Sequence, residues 1–397
     1  MIRPAILTVA LFAIVVGNYY YNIRGTGGGG YFCGDGTAQG AAKIRHYESL
    51  HEPSSRLYND PYAQYMYPGS FAQTWLGETG TRRLYNFIFK GLIEMITLRT
   101  KWLDDEIMKA IQIPQAPQRP TDNNNENNND NDNKDEIDDE TGVDYTGAGA
   151  EQMIILGVGY DTRGFRLDLP DTFRVIEIDQ PDVQALKIKK LVTIAKTDER
   201  ILSRIMKTNK TKNNNIVQFI GIDFNKGGDS SISDKLLSSN VFNKNKVTIV
   251  ILEGVTQYLP KSSTADTLRQ LHTILPANSI LLISYVPQDA YDDPNKLCGG
   301  GGGGGDDGGD SSNKSTTCAK KINLLLKSSN LFAGEPWITG WTSTNDFRFF
   351  LMELGYKLHS VSTVDMLNDK YLKPLNRNIK KGDMVPIEQY AVAIVVK

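Results

Sequence analysis

The sequence predicts a doubly wound α/β domain on a mostly parallel, Rossmann-like sheet, preceded by a helical lid. Three observations predict it. Short runs of Val, Ile and Leu recur at "QMIILG", "FRVIEI", "KVTIVILEGV" and "SILLISYV". Helix-compatible segments separate several of these runs, as in a parallel sheet covered on both faces. A glycine turn, "GVG", follows the first run directly, and an acidic residue, Asp179, ends the second.

Taken in order, residues 40–110 read as helical and suit a lid over the carboxyl ends of the strands. The strands fall at 152–157, 173–178, 215–224, 246–255 and 279–286, the third running to Asp223. A helix is expected from Asp182 to about Ala195. In "SSTADTLRQLHTIL", Leu268, Leu271 and Leu275 repeat at helical spacing. "STNDFRFFLMELGY" opens with helix-capping residues, and "YAVAIVVK" reads as a last strand.

Three segments lack the apolar residues to offset their ordering entropy. They are a Gly-rich tether at 18–36, an acidic Asn/Asp tract at 115–142 and a Gly-rich tract at 298–318. Both long tracts read as insertions within one domain covering 37–397, because loop-closure cost grows slowly with length. Cys298 and Cys318 flank the second tract. Unpaired thiols are the default expectation, with pairing open to an oxidising compartment. At the front, residues 5–16 form an uncharged apolar run of twelve residues after Arg3. That is shorter than the ~20 residues of a membrane span and fits a signal peptide over 1–17. A signal anchor tethering residues 4–21 to a membrane is the rival reading, and a buried helix a third. Asn209 and Asn313 each open an N-glycan acceptor triplet.

Composition excludes several classes of function. Net charge is −2 and charged residues make up 23% of the chain, so no basic field invites nucleic acid. Three cysteines and four histidines fall in no metal-ligand spacing.

Chemistry therefore concentrates in "MIILGVGYDTRGFRLDLP", residues 153–170. A glycine turn after a first strand lets a cofactor approach the backbone. Asp179, 22 residues past Gly157, stands where an acidic partner for ribose hydroxyls belongs. Both a nicotinamide dinucleotide and S-adenosylmethionine satisfy that much. A dinucleotide fingerprint needs a third glycine where this chain has Thr162, and Asp161 in the same turn would repel a pyrophosphate. It would suit the ammonium of a methionine moiety.

Five segments widen the pattern: "LRTKWLDDEI", "YDTRGFRL", "VIEIDQPDVQALKIKKL", "GIDF" and "LEGVTQYLP". In this order they resemble the leucine carboxyl methyltransferase family, S-adenosyl-L-methionine-dependent O-methyltransferases of the doubly wound class. The likeness runs from about Gly36 onward, apart from the two tracts. It implies that Arg99 pairs with the cofactor carboxylate, that Gly157 gives backbone room, and that Asp161 lies beside the methionine end. It further implies that Asp179 accepts from the ribose, that Asp223 and Phe224 frame the adenine, and that Glu253 stands near the amino group. Lys43 or Arg45 would assist from the N-terminal segment.

Each position has a plainer reading. Arg99, Lys43 and Arg45 also suit solvated helix faces, Asp179 and Asp223 also suit helix caps, and core packing suits Tyr258 and Trp341 better than a substrate pocket. The acceptor expected is a carboxylate, on a small molecule or a protein, or else a hydroxyl. A carboxylate is already ionised and needs no general base, which agrees with the lack of any evident nucleophile–base set. Two other functions stay open: a nicotinamide-dependent oxidoreductase, and a non-catalytic tethered or secreted protein that keeps the fold.

Overall fold

The computed structural model describes residues 36–68, 71–88, 90–111, 145, 147–205, 217–224, 231–299, 311–328, 336–380 and 383–397. The signal or anchor segment, nearly all of the Gly-rich tether, the acidic tract and Asn209 lie outside them. No described helix is long and apolar enough to cross a membrane.

Helices α1 (Gly36–Ser49), α2 (Phe71–Ile88) and α3 (Leu92–Ile111) come first. Next come β1 (Gln152–Leu156), β2 (Arg174–Asp179), α4 (Pro181–Ile194), β3 (Val217–Gly221), β4 (Thr248–Leu252), α5 (Lys261–Ile274) and β5 (Ile280–Tyr285). Then α6 (Pro294–Gly299), α7 (Ser311–Ser328) and α8 (Thr344–Glu353) lead to β6 (Tyr356–Thr363) and β7 (Gln389–Val395). The sheet order is β3-β2-β1-β4-β5-β7-β6. The first five strands pair in parallel, and β7 is antiparallel to both of its neighbours.

Strand parity builds two cores. Met153 and Ile155 of β1 join one buried cluster with Leu98, Trp102 and Ile107 of α3. Ile154 and Leu156 join the other with Leu268 and Leu271 of α5 and Phe347 of α8. Both faces are thus covered, which is why the strands read as continuous apolar runs rather than alternating ones.

The structure departs from the sequence reading at four points. The third strand stops at Gly221, so Asp223 stands in the loop beyond it. The edge strand β6 escapes a search for apolar runs because only its first residue, Tyr356, is buried. Helix α7 begins at Ser311, inside the tract read as an insertion at 298–318. Cys318, Ile322 and Leu325 lie at helical spacing there, and the first two are fully buried. The cysteines are paired: Cys298 of α6 and Cys318 of α7 form a disulfide with a Cα–Cα distance of 5.9 Å.

A buried charge locks α4 onto the sheet. Glu177 lies in β2 among apolar neighbours, and Lys187 Nζ donates to its Oε2 at 2.6 Å. Gln184 Nε2 donates to the Glu177 carbonyl at 2.7 Å. Burial pushes the Glu177 carboxyl from 4.5 up to about 7, against the opposing pull of Lys187. Between those values the folded chain holds a proton that the unfolded chain has released, so this group's stability contribution falls as pH rises. The double variant Glu177→Leu/Lys187→Met should lose that dependence. Thermal unfolding of both chains at about pH 5 and about pH 8 measures it.

Candidate functional site

The carboxyl ends of the strands open onto a cleft of about 370 Å³. It lies where the strand order reverses, between β1 and β4, the place an open α/β sheet reserves for ligands. The turn after β1 forms its floor. Gly157 and Gly159 have φ of 62° and 49°, a region that L side chains avoid. A Cβ at Gly157 would lie 2.4 Å from Val255 Cγ2, and one at Gly159 would lie 2.9 Å from Ala38 Cβ. The turn is therefore pressed between the loop after β4 and helix α1.

Asp179 holds the turn from the end of β2. Its Oδ2 accepts from Gly159 N at 2.6 Å and its Oδ1 from Gln180 N at 2.7 Å. It does not cap α4, whose N-cap is Gln180. Burial raises the carboxyl, with the two backbone N–H groups opposing.

Beside the turn lies a buried ion network. Arg99 of α3, expected either at the cofactor or on a solvated face, is buried. Its Nε donates to Glu253 Oε1 at 2.7 Å, and its Nη1 donates to Glu388 at 2.8 and 2.9 Å. Arg163 Nη1 donates to Asp161 Oδ2 and Glu253 Oε2, both at 2.5 Å, and its Nε donates to Asp104 Oδ1 at 2.9 Å. Arg45 Nη2 donates to the Tyr160 carbonyl at 2.6 Å and its Nε to Asp60 Oδ2 at 3.1 Å. Burial alone would raise the carboxyls of Asp161 and Glu253. The guanidinium of Arg163, joined by Arg45 for Asp161 and by Arg99 for Glu253, holds both below the ordinary range. Gly254 leaves room for this packing, since a Cβ there would lie 3.2 Å from Arg99 Nη1 and 3.4 Å from Nη2.

All seven residues singled out in the sequence line this cleft: Arg99, Gly157, Asp161, Asp179, Asp223, Phe224 and Glu253. Asp161 faces it with both carboxylate oxygens engaged by Arg163, through the backbone N and Nη1. Of the two assisting cations, Arg45 lines the cleft. Lys43 does not; its ammonium sits 4.0 Å from the centre of the Tyr85 ring. Trp341 packs in the core against Tyr285 and Phe347, as expected, whereas Tyr258 is at the cleft wall.

Sequence reasoning missed Glu388, Gln257 and Trp337. Glu388 precedes β7, and because that strand runs antiparallel its start lies beside the carboxyl end of β5, with Tyr285 opposite Gln389. Only the direction of the last strand reveals this. Gln257 lay within the quoted "LEGVTQYLP", where burial was the missing signal. Among the described residues, no histidine lines the cleft and no cluster suits a metal ion.

Comparison with known proteins agrees with the class read from the motifs. Residues 136–272 match the family model described as leucine carboxyl methyltransferase. A putative S-adenosyl-L-methionine-dependent methyltransferase of Mycobacterium ulcerans is 30% identical over 148 residues, 37% of this chain and 40% of that protein. One from Bacillus subtilis is 28% identical over 149 residues, 36% of this chain and 41% of its own length. The solved structure of a putative methyltransferase from Thermobifida fusca is 11% identical, covers 90% of this chain and 94% of its own, and has a TM-score of 0.45. The chain spans about two fifths of the length of the curated relatives it matches. The segment from β1 into α5 is thus similar to the corresponding part of S-adenosyl-L-methionine-dependent methyltransferases. Its family resemblance is to the leucine carboxyl methyltransferases, and S-adenosyl-L-methionine is the cofactor of that class.

Gly157→Ala should destabilise the chain by more than the ~1 kcal/mol of an ordinary glycine-to-alanine change at positive φ. Adding Val255→Ala should recover part of the loss by removing the clash while leaving the backbone strain. Urea unfolding of the single and double variants separates the two contributions.

Proposed function

We propose that this chain binds S-adenosyl-L-methionine in the cleft and transfers its methyl group to an oxygen acceptor, a carboxylate foremost. The observation that carries the reading is the Asp179 carboxylate, which grips the glycine turn at Gly159 while facing the cleft. The residues present fit the cofactor. The glycine turn itself lines the cleft, with Gly157 and Gly159 presenting backbone and no side chain beside Asp161 and Asp179. Asp179 would accept from ribose hydroxyls, and Asp223 and Phe224 would hold the adenine. Arg99, Asp161 and Glu253 would receive the methionine end.

Charge favours this cofactor over a dinucleotide. Asp161, Asp179, Asp223, Glu253 and Glu388 line the cleft, against the cations Arg45 and Arg99 among the described residues. That field attracts a sulfonium and an ammonium and opposes a pyrophosphate. The helix after the turn is only the four residues Arg163–Arg166, too short to present a helix dipole to phosphates.

When bound, the cofactor supplies a methyl already activated by the sulfonium. The acceptor oxygen would displace that methyl in line, the electron pair of the broken C–S bond leaving with sulfur. With a carboxylate acceptor no proton is moved, in keeping with a cleft wall that offers no histidine. The chain's part is to hold the two reactants in line and exclude water. Residues 1–17 remain our candidate for a signal peptide, with a membrane tether through residues 4–21 as the rival.

Calorimetric titration with S-adenosyl-L-methionine should show micromolar binding, weakened at least tenfold by Asp179→Asn. A reduced nicotinamide dinucleotide should not bind. Binding of the dinucleotide alone would overturn the reading.

A further inference from the structure

The end of the cleft beyond β4 has a different character from the end over β1–β3. Leu92, Met95 and Ile96 of α3, Leu259, Leu325 of α7 and Trp337 line the cleft. The Trp337 ring stands edge-on to Tyr258, with centroids 6.0 Å apart. Two polar groups interrupt this apolar wall, and neither has a protein partner. Gln257 is 2% exposed, and its Oε1 is buried without a hydrogen bond. The indole Nε1 of Trp337 is likewise buried and unbonded. Leaving a buried polar atom without a partner is costly, and two such atoms on residues that line one cleft are groups a ligand there could complete.

The wall is rigidly built. The Gln257 carbonyl accepts from Ile338 N at 2.7 Å, and Thr339 Oγ1 donates to the Leu259 carbonyl at 2.6 Å. Tyr291 donates to the Thr339 carbonyl at 2.8 Å. Helix α7 is tied at Cys318 by the disulfide, and Lys321 Nζ donates to the Lys90 carbonyl at 2.9 Å. The backbone that carries both orphaned groups is therefore tied to its neighbours.

Resting on the methyl-transfer reading above, we infer that this end of the cleft is the acceptor subsite. It takes a small monocarboxylic acid with an apolar body, its carboxylate held by the Gln257 amide and the Trp337 indole N–H. A side-chain amide can present its NH₂ in place of its oxygen by a flip of the terminal group. Neutral donors suit the task. They fix the carboxylate, whereas a direct ion pair would draw off the electron pair that attacks the methyl group. The cations lining the cleft among the described residues, Arg45 and Arg99, are already paired with Asp60 and with Glu253 and Glu388. A volume of about 370 Å³ is near the low end for ligand pockets. Once the cofactor is seated, little room is left for a peptide and its backbone amides.

The test uses the full chain with S-adenosyl-L-methionine and four probes: 3-phenylpropionate, octanoate, 3-phenylpropanol and a peptide ending in leucine. Mass spectrometry reads the products. Methyl esters of the first two, with the peptide and the alcohol unmodified, are expected. Gln257→Leu and Trp337→Phe should each raise the acceptor KM at least tenfold, with the cofactor Kd within twofold and thermal unfolding showing a folded chain. Methylation of the peptide or the alcohol in preference to the acids overturns the inference. So does an acceptor KM left unchanged by both variants, or cofactor binding with no ester from either acid. In all of these cases the cofactor reading stands. Failure of the wild-type chain to bind S-adenosyl-L-methionine would instead remove that reading, and this inference with it.

Discussion

Everything at the head of this sheet hangs on two buried guanidinium groups. Arg163, from the turn after β1, and Arg99, from the lid helix α3, share the single carboxylate of Glu253 at the end of β4. Neither arginine is satisfied by Glu253 alone: Arg163 also needs Asp161 and Asp104, and Arg99 also needs Glu388. Burying such charges carries a desolvation cost of several kcal/mol per ion, so each member must keep its full set of partners. Removing one leaves an uncompensated charge in the interior. The network thus fixes where the lid, the glycine turn, the end of β4 and the start of β7 stand relative to one another. This is a matter of geometry more than of net stability.

That constraint explains how a cleft dense in carboxylates persists. Asp161 and Glu253 would resist ionisation if burial acted alone, yet the guanidinium groups keep both charged. The result is a preorganised acidic wall whose orientation is set before any ligand arrives. Preorganised groups of this kind need not rearrange when the ligand's charge appears, which is the main way a protein lowers the cost of a charged intermediate state. The glycines complement the arrangement. At Gly157 and Gly254 the missing side chain makes room for Val255 and for Arg99, so the backbone passes close to the cleft without blocking it.

Much of this was legible in the sequence. The parallel strands announced themselves because burial on both faces leaves no reason for polar residues inside them. Asp179 was legible because a carboxylate at a strand end, a fixed distance past a glycine turn, has few other reasons to be there. Three kinds of information were not local. β6 is an edge strand with one buried residue, so its hydrophobic signal is weak. Helix α7 begins in polar sequence next to a glycine tract, and only the burial of Cys318 and Ile322 accounts for it. Glu388 belongs to the site because β7 runs against its neighbours, and strand direction is decided by the whole sheet. Lys43 shows the reverse error: a basic residue near the right place is drawn off by aromatic rings.

The contacts that close the cleft also join distant parts of the sequence. Arg99 meets Glu253 across 154 residues and Glu388 across 289. Closing loops of that length carries an entropic penalty that must be met before the contact returns anything, so such pairs form late in folding. The central strands, whose pairings are more local, can assemble without them. A ligand that recognises the finished cleft therefore finds nothing to hold in the early ensemble. Its influence should fall on the rate at which the native chain opens, with little effect on the rate at which it is made.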